Sequence, residues 1–266
     1  MSDQYNFKTI IRPAILKFQR HFGLSPRNLC LISGAPRSGT SALCEWLGKQ
    51  RQVSAFPESR ILVSAHKFIE EAHRFQNLSK DSARITNLAR QLVFSYYYDS
   101  RILIGRRLLV DKEPLEPIAF PSKKYEEFIK NVKIILPDCK LLIAIRDPIA
   151  TIWSMSRRTW GESLTNVKKQ RFTLEEYAEN WCACANLTLK LSSDPNTYVV
   201  QFARLVSAPI DESRKIFDFL GIHNGSPFQP RQTHEIGFSE KERKKILKIV
   251  RPQLEKLRLQ GITDLI

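Results

Sequence analysis

One eight-residue turn gathers hydroxyls, a cation and two glycines: Gly34-Ala35-Pro36-Arg37-Ser38-Gly39-Thr40-Ser41. It follows the apolar segment Leu29–Ser33 and leads into a stretch with helical spacing. A strand, a glycine turn and a helix start aim backbone N–H groups and the positive end of a helix dipole at one point, which suits a phosphate. The triphosphate-binding pattern Gly-x-x-x-x-Gly-Lys-Ser/Thr would put lysine directly after the second glycine. Here Thr40 holds that place, Ser41 follows, and the positive charge lies inside the turn on Arg37. The loop suits an anion but lacks the lysine of an ATP or GTP site.

Two more clusters end apolar runs in the same way. Arg107–Asp111 reads as a strand that delivers Asp111-Lys112-Glu113-Pro114. Leu141–Ile145, five apolar residues in a row, reads as a strand buried on both faces and delivers Arg146-Asp147-Pro148. Ser154 follows about two turns into the next helix. Ligands of parallel sheets bind at the carboxyl ends of the strands. Arg37, Lys112, Arg146 and the hydroxyls of Ser38, Thr40, Ser41 and Ser154 would then line one crevice, fitted to a ligand with two separated anionic groups. Taken singly, Lys112 reads as a surface lysine and Asp147 as a helix cap. Only the ordered set is specific.

The elements that must position these residues alternate. Helical spacing covers 8–22, 40–49, 60–75, 81–98, 122–135, Pro148 to about Arg158, 174–191 and 208–220, the last ended by Gly221. A strand is expected at Tyr198–Phe202, and a basic helix over 239–260 with a break or kink at Pro252. Strands alternating with helices predict one α/β domain, a mostly parallel sheet with helices on both faces. It would span residues 1–266, with 1–28 as a helical extension and 223–266 as a C-terminal lid and basic segment.

The 266 residues are 42% apolar and 10% aromatic, as in a folded globular protein. The net charge of +15 calls for an anionic partner without choosing among nucleic acid, membrane surface and small polyanion. Five cysteines, an odd count, suggest no disulfide framework, and Cys182 and Cys184 read as buried thiols. No apolar run reaches the roughly 20 residues of a membrane span, and the N-terminus lacks the pattern of a signal peptide. The expectation is a cytoplasmic protein.

The ordered set resembles the sulfotransferases that use 3′-phosphoadenosine 5′-phosphosulfate (PAPS), over roughly residues 29–222. Gly34–Ser41 is similar to the family's 5′-phosphosulfate loop, in the arginine form of its carbohydrate and tyrosylprotein branches. Arg146 and Ser154, eight apart, resemble its 3′-phosphate motif, and Lys112-Glu113-Pro114 its Lys-x-Pro strand end. Glu58-Ser59-Arg60 stands where tyrosylprotein sulfotransferases carry a catalytic glutamate, although a carboxylate there also suits the start of the helix near residue 60. The resemblance implies a P-loop-like fold and sulfuryl transfer from PAPS, which leaves as adenosine 3′,5′-bisphosphate (PAP), to an acceptor hydroxyl. It implies Glu58, Arg37 and Lys112 as catalytic residues, with Gly34, Arg37, Ser38, Gly39, Thr40, Ser41, Arg146 and Ser154 binding the donor and no metal. Phe202-Ala203-Arg204-Leu205 departs from the family's Tyr-Glu-Asp-Leu, and its Arg-Lys-Gly segment is absent; Arg231–Gly237 is a candidate substitute.

His66, Glu70 and His73 share one helix face and are read as a solvated or cleft-lining surface. Residues 157–172 are a candidate lid over the acceptor. Two other classes stay open: a P-loop NTPase or kinase using Mg²⁺, and a non-catalytic basic protein binding nucleic acid or a membrane surface through 239–260. No specific nucleic acid is expected; peripheral membrane contact and homo-oligomerisation are left open.

Overall fold

The computed structural model describes residues 29–75, 82–99, 108–116, 124–160, 171–230 and 236–263. The expected helix at 8–22, the 161–170 part of the candidate lid and Arg231–Glu235 lie outside them. Five strands form one all-parallel sheet: β1 (Leu29–Gly34), β2 (Val53–Pro57), β3 (Leu108–Lys112), β4 (Lys140–Ile145) and β5 (Thr197–Gln201). Their order is β2-β3-β1-β4-β5. From β1 the chain moves outward to β2 and β3, then crosses to β4 and β5. The switch point, where α/β folds leave a crevice, falls between β1 and β4.

The connections include α1 (Thr40–Gly48), α2 (Ile61–Arg74), α3 (Ser82–Asp99), α4 (Tyr125–Ile135), α5 (Pro148–Ser156) and α6 (Leu174–Leu191). After β5 come α7 (Phe202–Ser207), α8 (Pro209–Leu220) and α9 (Glu240–Leu259). Capping explains several starts. Thr173 with Glu176 and Ser239 with Glu242 form capping boxes at α6 and α9. Asp147 accepts a 2.5 Å bond from Ala150 N, with Pro148 in the first turn of α5.

Period-2 alternation along the strands sends side chains to two cores. Leu31, Leu109, Leu141 and Ile143 join the core under α2 to α6 and α9, while Ile32, Val110, Leu142 and Ala144 join the one under α1 and α8. The same alternation turns Asp111 toward α3, where Tyr97 meets it, and Lys112 toward α1, where Ser41 meets it.

Three expectations are corrected. β2 was not foreseen, because only Val53 and Ser54 of its five residues are buried and it ends in proline. The expected strand end at Phe202 is instead the first residue of α7. Of the break or kink expected at Pro252, the break is absent: α9 runs as one helix through that residue, which lies on its exposed side, while Ile246, Val250, Leu254 and Leu257 are buried.

Candidate active site

Register places the chemistry. Pro57 pairs with Lys112, so the next residues outward, Glu58 and Glu113, emerge side by side. Ile145 pairs with Gln201, so Arg146 emerges beside Phe202, and its guanidinium lies over that ring at 5.2 Å. The Gly34–Ser41 loop leaves β1 between these two pairs.

Both glycines of the loop are required by geometry. Gly34 has φ 131°, and a Cβ there would meet the Ala144 carbonyl oxygen at 2.3 Å. Gly39 has φ 101° and would drive a Cβ to 2.2 Å from the Phe202 ring. Arg37 is itself left-handed, at φ 68°. Ser38 is fully buried and closes the turn, donating from its hydroxyl (2.6 Å) and its amide (3.2 Å) to the Ala35 carbonyl. Thr40 is buried, and Ser41 Oγ accepts a 3.0 Å bond from Lys112 Nζ. α1 has no side-chain cap and no acidic residue in its first turn, so no side chain of that turn offsets the positive end of its dipole.

On the β4 side lies a cavity of about 980 Å³, with Arg37, Arg146, Arg157, Arg158 and Ser154 in its wall. Its apolar lining includes Trp46, Trp153, Phe202 and Phe228. Arg37 Nε donates to Ser154 Oγ at 2.9 Å. Burial and the neighbouring Arg158 and Arg146 cations push the Arg37 guanidinium below its ordinary value, and burial lowers that of Arg146. None of the four arginines has an ion pair among the described residues. Arginine stays charged regardless, so this is a crowded cationic pocket, in which Asp147 beside Arg146 and Glu45 in the cavity wall are the acids at hand. Trp181 Nε1 donates to the Arg146 carbonyl at 3.1 Å and fixes that strand end to α6.

The β2–β3 side is built differently. Lys112, 5% exposed, is ion-paired with Glu58 as well as bonded to Ser41. Arg60 reaches Glu58 at 3.1 Å, Glu113 at 3.4 Å and Glu116 at 2.8 Å. Glu58 does not cap α2; the Ser59 hydroxyl accepts from Ile61 N at 3.2 Å instead. Glu58 and Arg60 are both left-handed, at φ 64° and 60°, a conformation costing on the order of 1–2 kcal/mol for each non-glycine residue.

The structure thus joins Lys112, Glu58 and Ser41 in one group and Arg37, Arg146 and Ser154 in another. Lys112 and Glu58 lie outside the cavity wall. Arg158 was seen in the sequence only as part of a lid. Its position four residues after Ser154, hence on the same face of the helical run, was the available signal. The helix face at His66 is corrected. His66 is buried, with Nδ1 2.9 Å from Asn131 Nδ2 and its ring edge-on to Phe128, while Glu70 pairs with Lys124 and His73 is exposed. Among the described residues no three metal-ligating side chains gather.

The sequence profile of the sulfotransferase family matches residues 30–224, from β1 to just beyond α8. This chain belongs to the sulfotransferase family. The nodulation protein NoeE of Sinorhizobium fredii is 25% identical over 218 residues, which are 73% of this chain and 50% of that protein. The chain therefore spans about half the length of that curated relative. Among solved structures, a sulfotransferase from Alicyclobacillus acidocaldarius aligns with a TM-score of 0.57 at 16% identity, covering 89% of this chain and 96% of the other. The sulfotransferase domain of the Synechococcus PCC 7002 olefin synthase aligns at 0.50 and 20% identity, covering 73% of each. Both establish the sulfotransferase fold. No helix among the described residues is long and apolar enough to cross a membrane.

Proposed function

We propose that this family member transfers a sulfuryl group from PAPS to an acceptor hydroxyl. The observation that carries the reading is the row of unpaired arginines beside an uncapped helix start, adjoining the Lys112–Glu58 pair. A donor with a 5′-phosphosulfate and a 3′-phosphate fits that row, and the aromatic wall of the cavity suits its adenine. Arg37 and the N–H groups of the α1 start hold the 5′-phosphate. Arg146, Ser154 and Arg158 hold the 3′-phosphate, which ATP lacks.

The acceptor oxygen forms a bond to sulfur as the bond from sulfur to the 5′-phosphate oxygen breaks. The electron pair leaves with adenosine 3′,5′-bisphosphate. Lys112 compensates negative charge on the bridging and sulfuryl oxygens. Glu58 takes the acceptor's proton, for which Lys112 must turn from Glu58 toward the donor. Charge compensation in this arrangement comes from side chains and backbone N–H groups.

Calorimetry tests the reading. Adenosine 3′,5′-bisphosphate should bind without metal, and at least about a hundredfold more tightly than ATP with Mg²⁺, since two charge-assisted contacts are at stake. Absence of bisphosphate binding, or a preference for MgATP, overturns it.

A further inference from the structure

Lys112 stands between two carboxyl groups, Asp111 and Glu113, that are 0% and 1% exposed and do not belong to the cavity wall. Both are spent on one short segment. Asp111 Oδ1 accepts from Ser59 N at 3.3 Å, and its Oδ2 accepts from the Ser59 hydroxyl and, at 2.6 Å, from Tyr97 OH. Glu113 Oε1 accepts from Arg60 N at 2.5 Å, while its Oε2 faces Arg60 Nη1 at 3.4 Å. The backbone N–H groups that follow Glu58 are thereby tied to the strand that carries Lys112. Tyr97, in the core on α3, anchors Asp111 from behind.

The tie matters because of the backbone it holds. Glu58 and Arg60 are left-handed on either side of Ser59, and such residues persist only where their surroundings over-determine them. Without the tie, the segment is free to relax to ordinary dihedrals, which would swing the Glu58 side chain away from Lys112. We propose that Asp111 and Glu113 are positioning residues that, through Ser59 and Arg60, hold the Glu58 carboxylate against Lys112. The role assigned to Glu58 rests on the sulfuryl-transfer reading above. Burial works against both acids in their charged forms: it pushes Asp111 up, and with the Asp111 charge it lifts Glu113 to about 8. Two acids kept in so unfavourable a place, both bonded to the same turn, are accounted for by that turn.

The test uses Ser59→Ala, which removes from a half-buried residue the hydroxyl that donates to Asp111 and accepts from Ile61 N, and Ser59→Thr as the conservative rescue. Amide exchange at residues 59 and 60, whose N–H groups donate to the two carboxyls, should speed up at least about tenfold in Ser59→Ala, while the 34–41 loop is unchanged. Release of sulfate from PAPS, with water as acceptor, should fall at least about tenfold, in kcat rather than KM. Affinity for adenosine 3′,5′-bisphosphate should stay within about twofold. Ser59→Thr should restore the rate, and Ser59→Ala should cost nothing further in a Glu58→Gln background. Unchanged exchange at 59 and 60, or a rate loss that adds to that of Glu58→Gln, overturns the inference. If the unmodified chain neither binds the bisphosphate nor releases sulfate, the sulfuryl-transfer reading fails, and the exchange result alone decides whether the carboxyls hold the turn.

Discussion

On the β2–β3 side of the central strand, the cations at the carboxyl edge of the sheet have acidic partners: Lys112 has Glu58, and Arg60 has Glu58, Glu113 and Glu116. From the β1 loop toward β5, Arg37, Arg146, Arg157 and Arg158 make no ion pair among the described residues, and Asp147 acts on Arg146 without touching it. The first group is internally neutralised and shaped by its own ion pairs. The second keeps like charges close together, at a cost that an anionic ligand would offset. Under the proposed function, the first half of the edge carries the chemistry and the second holds the donor.

Lys112→Ala tests this division with the largest effect. Transfer should fall about a thousandfold or more, as for loss of a main charge-stabilising group, while affinity for the bisphosphate changes by less than about threefold. An equal loss in both would dissolve the distinction. Next comes Arg146→Ala, which should weaken bisphosphate binding by about 10- to 100-fold, the range for a charge-assisted contact. Arg146 is half-buried and its charge bears on that of Arg37, so with that repulsion relieved the ligand-free variant should melt no lower than the parent. A fall of several degrees would show that the arginine row stabilises the empty fold.

Arg158→Gln should have a smaller effect, about 3- to 10-fold on the same affinity, with a shallower dependence on ionic strength. Calorimetry at two salt concentrations reads both. Glu113→Gln probes the compensated half through pH. Burial and the Asp111 charge raise Glu113 to about 8, whereas an unfolded glutamate titrates near 4.3. The folded state therefore retains a proton that the unfolded chain has lost. This contribution to stability is fully present below about pH 4 and lost by about pH 8. The melting temperature of Glu113→Gln should accordingly rise relative to the parent as pH is raised across that window. A constant difference would mean that Glu113 is already ionised at low pH.

The arginine half was the more legible in the sequence. Arg37 lies inside a glycine turn, and Arg146 and Ser154 sit at a strand end and on the next helix; both follow from local spacing. Arg158 was within reach of the same reasoning. The compensated half was harder to read. Glu58 was found only through its resemblance to a family motif. Its neighbours Asp111 and Glu113 looked like unremarkable acids around a lysine, and β2, which delivers Glu58, is short and half-exposed. His66 looked solvated because helical spacing says which residues share a face but not what covers that face. Asn131 and Phe128 of α4 cover it.

By itself, the sequence determined what local rules can carry: an α/β alternation, a phosphate-suited turn without a triphosphate lysine, and cations and hydroxyls at strand ends. Each depends on residues within about two helical turns of one another. Tertiary structure alone decided that β3 inserts between β1 and β2, and so that Glu58 emerges beside Glu113 and reaches Lys112. It also decided that Arg37, 117 residues from Ser154 in the chain, donates to that hydroxyl. Parallel strands bring together side chains far apart in sequence through long crossovers. Strand order and register, which composition and spacing do not encode, set which charges meet an ion-pair partner and which do not.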